Sequence, residues 1–135
     1  MLHLDGDVYL EMVAHCLDGL PEEACGLLAG TAEPAEAVRC YPAGNDAASA
    51  KLYKLNPLDH LRADRHAEEH GLSILGVFHS HTHTDAYPSP TDVAQAPDPG
   101  WHYVIVSLRQ AEPVVRSFRI VDGSVAEEPV VVVGR

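Results

Sequence analysis

Positive charge is scarce in this chain. Lysine and arginine number 9 against 20 aspartates and glutamates, a net charge of −11 over 135 residues. That imbalance excludes any broad electrostatic attraction to nucleic acid or to an anionic membrane surface. Long apolar runs are missing too, for none approaches the roughly 20 residues that span a bilayer. The opening residues, Met1-Leu2-His3-Leu4-Asp5-Gly6-Asp7, carry neither a cationic nor an apolar stretch, so no secretory signal is expected. Cysteine is sparse: Cys16, Cys25 and Cys40 are odd in number, and none lies in a C-x-x-C pair. This argues against a disulfide framework and for a reducing, cytoplasmic setting. Repeats, low-complexity tracts and linkers are also lacking. With 46% apolar and 21% charged residues, the composition is that of a globular chain. Residues 1–135 are therefore read as one domain.

Histidine, by contrast, is abundant, with nine copies, a weak pointer to metal chemistry. The apolar pattern predicts a helix over Asp7 to Leu17, with Asp7 as its cap and Val8, Met12, Val13, Cys16 and Leu17 on one stripe. Ala24 to Ala29 is a continuous apolar run that reads as a buried strand, followed by a short loop over Gly30 to Glu36. Ala37 to Tyr41 and Leu52 to Leu55 are further strand candidates. Asn56-Pro57-Leu58-Asp59 reads as a helix start, with Asn56 as cap and the helix running to about His70 before Gly71. Ile74 to His79, Trp101 to Leu108, Pro113 to Val121 and Val125 to Val133 read as strands, the last two joined by an Asp122-Gly123 turn. The expected class is α/β, a mixed β-sheet with flanking helices.

Chemistry concentrates between His79 and Asp92. Residues two apart on a strand share a face, so His79 and His81 present two imidazoles side by side at a strand end. Asp92 adds a carboxylate from the following segment. Two histidines, one carboxylate and an open position form the layout of a catalytic zinc site, whereas closed structural sites have four protein ligands and lean on cysteine. Ser89-Pro90-Thr91-Asp92 also matches a helix start, with Ser89 as cap, Pro90 first and Asp92 third. The two readings are compatible, because a capped first turn holds a carboxylate rigidly enough to ligate a metal.

These residues resemble a family. His79-x-His81, seven residues, then Ser89-x-x-Asp92 is the motif of the JAMM (MPN+) metalloproteases, whose fold is related to that of the cytidine deaminases. The family also needs a glutamate ahead of a strand, and Glu23, in Glu22-Glu23-Ala24-Cys25-Gly26, is the match; Glu22 is one residue off. The stretches Glu23 to Gly30, His79 to Thr82, Ala86 to Ser89 and Arg119 to Gly123 look most like the compact actinobacterial Mec branch. The resemblance implies Zn²⁺ held by His79, His81 and Asp92, with its bound water acidified towards neutrality. It implies Glu23 as the general base and Ser89 as hydrogen-bond donor to the oxyanion. It further implies removal of a C-terminal residue, cysteine in that branch, from a ubiquitin-like sulfur carrier protein of the CysO type, as a step of cysteine biosynthesis. A homodimer is plausible on the same ground. The extra loops that hold ubiquitin in eukaryotic members have little room in 135 residues. The alternatives are an isopeptidase for another ubiquitin-like modifier and a metal-free scaffold of the MPN− type.

Other patterns compete for attention. His66-Ala67-Glu68-Glu69-His70 fits H-x-x-E-H, and two histidines four apart on a helix share a face, but its polar surroundings suit a solvated surface better. His83 continues the alternation of His79 and His81, although the family leaves that position free. Cys25 sits inside an apolar run and reads as packing, not as a nucleophile. The His-x-Glu and Pro-Cys-x-x-Cys of zinc deaminases are absent.

Overall fold

The computed structural model describes residues 1–134. In chain order the elements are β1 (Leu2–Asp5), α1 (Gly6–Asp18), β2 (Cys25–Ala32), β3 (Ala35–Ala43), α2 (Pro57–Glu69), β4 (Ser73–His81), α3 (Pro90–Ala94), β5 (His102–Ser107), β6 (Val114–Val121), β7 (Ser124–Glu128) and β8 (Val130–Val133). All eight strands join one mixed sheet, in the order β7-β6-β5-β4-β2-β3-β1-β8. β4 lies at its middle, antiparallel to β2 and parallel to β5. That parallel pair requires a crossover, and α3 lies within it. Among the described residues no helix is long and apolar enough to cross a membrane.

Period-2 alternation divides the core between the two faces of the sheet. Leu28, Phe78, Val104 and Val106 pack with Val8, Met12 and Cys16 of α1. Leu27, Val77, Tyr103 and Ile120 pack on the other face with Ala63 of α2. The stripe of α1 is large and apolar, as its sequence predicts. α2 buries only the small Ala63 and Ala67, so it rests on the sheet with most of its polar surface in water. Gly76 is required where β4 meets β5, because a Cβ there would run into the backbone carbonyl of His102.

Several boundaries differ from the sequence reading. The cap of α1 is Asp5, not Asp7: the Asp5 side chain accepts the backbone N–H of Asp7, and the helix begins at Gly6. β1 ahead of it was not foreseen. Its four residues are too few to show a pattern, and it forms because β3 and β8 flank it. The loop expected over Gly30 to Glu36 is shorter, since β2 and β3 stay paired as far as Ala32 and Ala35. Leu52 to Leu55 is not a strand. Its one ladder contact is the bridge between Asn45 and Leu55, and the Asn45 side chain takes the Lys54 N–H that a neighbouring strand would take.

Val125 to Val133 is two strands. Pro129, which has no N–H to give a ladder, divides β7, beside β6, from β8, beside β1. The Pro129 carbonyl accepts from Leu2 N at 2.9 Å. The two ends of the strand order therefore meet at Pro129, and the sheet curls round onto itself. The Asp122-Gly123 turn forms as expected, with φ of 50° and 77° at its two residues.

Candidate metal centre and active site

β4 delivers its histidines as the alternation predicts. Val77, His79 and His81 share the face towards α2, while Phe78 and Ser80 face α1. His79 sits opposite Cys25 of β2 and Ile105 of β5, so strands on both sides fix its backbone. Both imidazoles are buried.

Asp92 reaches them from α3 for a local reason. Ser89 and Asp92 form a reciprocal capping box: Ser89 Oγ accepts from Asp92 N at 3.0 Å, and Asp92 Oδ2 accepts from Ser89 N at 2.9 Å. This orients the first turn and aims the carboxylate at β4. Asp92 Oδ2 lies 3.1 Å from His79 Nε2 and 3.1 Å from His81 Nε2, and the two Nε2 atoms are 3.1 Å apart. The Ser89 hydroxyl, having accepted a backbone N–H, keeps its own proton to donate.

Glu23 is held from three directions. Its N–H donates to the Ser49 carbonyl at 2.8 Å, and its carbonyl accepts from Asn45 Nδ2 at 2.9 Å. Next to it, Ala24 N donates to Ser80 Oγ and Ser80 N donates to the Ala24 carbonyl, both at 2.9 Å. The carboxyl is buried, and Oε1 has no hydrogen-bond partner among the described residues. Burial pushes its pKa up to about 7, with His81 drawing it down and Asp92 adding to the rise. A carboxyl poised near neutrality suits proton transfer in both directions. Glu22 is exposed and points elsewhere.

The donor set fits a divalent ion. His81 Nδ1 lies 2.8 Å from the Asp85 carbonyl, which only accepts, so the ring proton sits on Nδ1. His81 Nε2 then faces a carboxylate oxygen at 3.1 Å, and in the neutral ring it offers that side a lone pair. At that range the neutral ring and the carboxylate repel unless positive charge lies between them, as a metal ion or as a second proton on the imidazole. Tetrahedral zinc with ligands at about 2.0–2.2 Å would space them about 3.3–3.6 Å apart, so the observed triangle needs only a slight opening. Burial would lower the His81 pKa, but its hydrogen bonds to Asp92 and to the Asp85 carbonyl raise it above the ordinary value, so an ion must displace a proton there. Burial keeps His79 below its ordinary pKa and therefore neutral, as a ligand must be. Burial would raise the Asp92 carboxyl, but hydrogen bonds from His79 and His81 hold it well below the usual range. Among the described residues, His79, His81 and Asp92 form the one histidine, cysteine or acid group compact enough for a metal.

The competing patterns resolve simply. His66 Nδ1 is 2.7 Å from the Tyr41 hydroxyl, and His70 Nδ1 donates to its own helix at the His66 carbonyl. Their rings stack at 4.1 Å on the α2 surface. His83 lies beyond the end of β4, exposed, against Thr82. Cys25 is fully buried, its thiol pushed up to about 12 by burial, and it donates to the Gly44 carbonyl.

Tyr53 was not anticipated. Its ring stacks on His79 at 4.2 Å, so it braces a candidate ligand. The segment 44–56 that carries it also holds Glu23 through Asn45 and Ser49, and Thr82 Oγ1 fastens it by donating to the Ala50 carbonyl. No period or motif marks such a residue. The sole available signal was an aromatic in a stretch too polar to be core.

The family model for prokaryotic homologs of the JAB domain matches residues 5–121. The CysO-cysteine peptidase of Mycobacterium tuberculosis is 42% identical over 134 residues, 98% of this chain and 92% of that one. The desampylase of Haloferax volcanii is 32% identical over 111 residues, 78% of this chain and 80% of that one. Among solved structures, a Desulfitobacterium hafniense protein superposes with a TM-score of 0.92 at 36% identity, covering 100% of this chain and 94% of that one. A JAB1/MPN domain protein from Archaeoglobus fulgidus superposes with a TM-score of 0.64 at 16% identity, covering 98% and 97%, and shows the shared fold.

Proposed function

This chain belongs to the prokaryotic JAB-domain family of the JAMM/MPN type and is a peptidase; from that premise we propose that it is a zinc-dependent hydrolase acting on a ubiquitin-like sulfur carrier protein. On this reading it releases a C-terminal residue, cysteine in the first instance, from the carrier's tail, in a step of cysteine biosynthesis. The M. tuberculosis relative is named for cleavage of a CysO–cysteine bond, which supports that substrate. The desampylase supports a second reading, cleavage of a bond between a ubiquitin-like modifier and another protein. A metal-free scaffold role is disfavoured, because the ligands such modules lose are all present.

The observation that carries the proposal is the convergence of three ligand-capable atoms beside a buried glutamate whose Oε1 has no hydrogen-bond partner among the described residues. His79, His81 and Asp92 would hold the ion. When bound, zinc supplies Lewis acidity, easing ionisation of a water and polarising the scissile carbonyl. Glu23 takes a proton from the attacking water at its carboxylate and passes it to the departing amine as the C–N bond breaks. Ser89 donates its hydroxyl proton to the oxygen on which charge develops; loss of one such donor typically costs about 10²–10³ in rate. His81 keeps its orientation through Nδ1 and the Asp85 carbonyl, and His79 keeps its own against Tyr53. The carrier's tail enters extended, the form in which main-chain hydrogen bonds provide affinity.

Glu23→Gln is the decisive variant. It should retain the metal and lose about 10²–10⁴ in turnover, because it removes the base and leaves every ligand. The assay is mass spectrometry of a carrier–cysteine adduct after incubation with enzyme, with and without chelator, alongside elemental analysis of the variant. Turnover that survives the substitution rejects Glu23 as the base.

A further inference from the structure

A cavity of about 440 Å³ opens beside the metal ligands, and the site as described does not use it. Asp92 lines its mouth, and Tyr53 forms part of its wall while stacking on His79. Val77 is part of its lining. That residue precedes His79 by two on the same face of β4, so the cavity runs back along the strand from the ligands. Leu55, Pro57, Pro97 and Trp101 make the rest largely apolar. Its size is that of a small-ligand site.

The charges around it are few and unevenly placed. Lys51 and Lys54 are the chain's only two lysines, in a molecule of net charge −11, and both lie in the segment that covers the metal group. Lys54 lines the cavity. Its backbone is fixed, N–H to Asn45 Oδ1 at 2.8 Å and carbonyl to Asp46 N at 2.8 Å, while its ammonium enters no ion pair among the described residues. Asp98, a carboxylate that also lines the cavity, is engaged by the Gly100 N–H at 2.7 Å. His60 sits edge-on to Trp101, with ring centroids 5.5 Å apart.

Resting on the proposed hydrolase reading, we propose that this cavity binds the leaving residue: its apolar walls take an uncharged side chain, and Lys54 takes a free α-carboxylate. The argument is one of charge. A terminal residue always carries a carboxylate next to the bond being cut. A lysine joined through its side chain to another protein carries none there, since its own carboxyl continues into a peptide bond. An ammonium in no ion pair among the described residues, on an exposed lysine that lines the same cavity as Asp92, selects the first. The enzyme is thereby a single-residue, carboxyl-terminal hydrolase in preference to an isopeptidase.

The test uses the zinc-loaded chain and a ubiquitin-like sulfur carrier extended beyond Gly-Gly by one cysteine, prepared with a free terminal carboxylate or with a terminal carboxamide. A third substrate joins the same carrier to a lysine side chain. The carboxylate form should be cleaved with a kcat/KM about tenfold above the carboxamide, the size of one hydrogen bond to a charged group. Lys54→Met should remove that difference by lowering the carboxylate rate. Trp101, the chain's one tryptophan, provides an independent reading: the Glu23→Gln enzyme should change fluorescence on binding the uncleaved carboxylate form, and more weakly with Lys54→Met added. Equal rates for acid and amide, or a Lys54→Met enzyme that keeps the preference, overturns the assignment of Lys54. Cleavage of the lysine conjugate alone overturns the leaving-residue site and leaves the hydrolase standing. No cleavage of any of the three substrates refutes the hydrolase reading and this proposal together.

Discussion

Two buried histidine–carboxylate groups lie on neighbouring strands of this sheet, and they are built to opposite ends. Where β5 begins, His102 Nδ1 donates to Glu128 Oε2 at 2.6 Å, Ser117 Oγ donates to the same oxygen at 2.8 Å, and the Met1 amine lies 3.2 Å from Oε1. Each Glu128 oxygen there faces a donor. Where β4 ends, His79 Nε2, His81 Nε2 and Asp92 Oδ2 face one another with the His81 proton committed elsewhere. The first group is complete and holds the curled sheet together at Pro129. The second has no fixed cation against it among the described residues, and a bound metal ion would supply that charge. Residue type and burial are nearly the same in both; the Met1 ammonium against Glu128, with no such fixed cation against Asp92 among the described residues, separates them.

The largest effect that would test this contrast comes from Asp92→Ala. Wild-type protein should carry about one zinc per chain; the variant should lose most of it, and turnover with it, as read by elemental analysis. Equal zinc in both proteins would remove Asp92 from the ligand set.

An intermediate effect is expected at the other group. Burial alone would raise the Glu128 carboxyl, yet hydrogen bonds from His102 and Ser117 hold it at about 2, below its ordinary 4.5. A depressed folded-state pKa contributes stability above the ordinary value and loses it as pH falls towards the folded value. Wild-type protein should therefore lose stability between about pH 4.5 and pH 2 at this residue. Glu128→Gln should abolish that part of the pH dependence and cost about 1–3 kcal/mol at neutral pH, followed by denaturant melts across the pH range. Its zinc content should be unchanged, and loss of zinc would merge the two groups the comparison separates.

The smallest effect belongs to the H-x-x-E-H pattern on α2. His66→Ala combined with His70→Ala should leave zinc content and turnover within about twofold of wild type, because surface changes away from the core are near neutral. A drop in bound zinc would show that the stacked pair, not β4, holds the ion.

Much of the site was legible because its logic is local. Alternation puts His79 and His81 on one face, and the Ser89-to-Asp92 spacing builds a cap, with no information needed from elsewhere. Glu23 was legible through its Cys25-Gly26 context and its resemblance to a family pattern. The segment 44–56 was misread as a strand at Leu52 to Leu55, because four residues of mixed polarity cannot reveal that an asparagine side chain will replace the missing neighbour. Nor could the valine-rich stretch from Val125 to Val133 show that its halves join opposite ends of the sheet; Pro129 marks the break without giving the destination.

Sequence alone thus determined the chemical inventory: two imidazoles on one strand face, a capped aspartate, a glutamate beside a strand, and a net charge of −11. Periodicity and capping act within a few residues, so they can be read in order along the chain. Tertiary structure decided what those groups face. The ligand-capable atoms that meet at β4, the ring of Tyr53 on His79 and the place of Lys54 in the cavity lining all depend on elements far apart in the chain. Their contact exists only because burying both faces of the sheet outweighs the entropy of closing the loops between them.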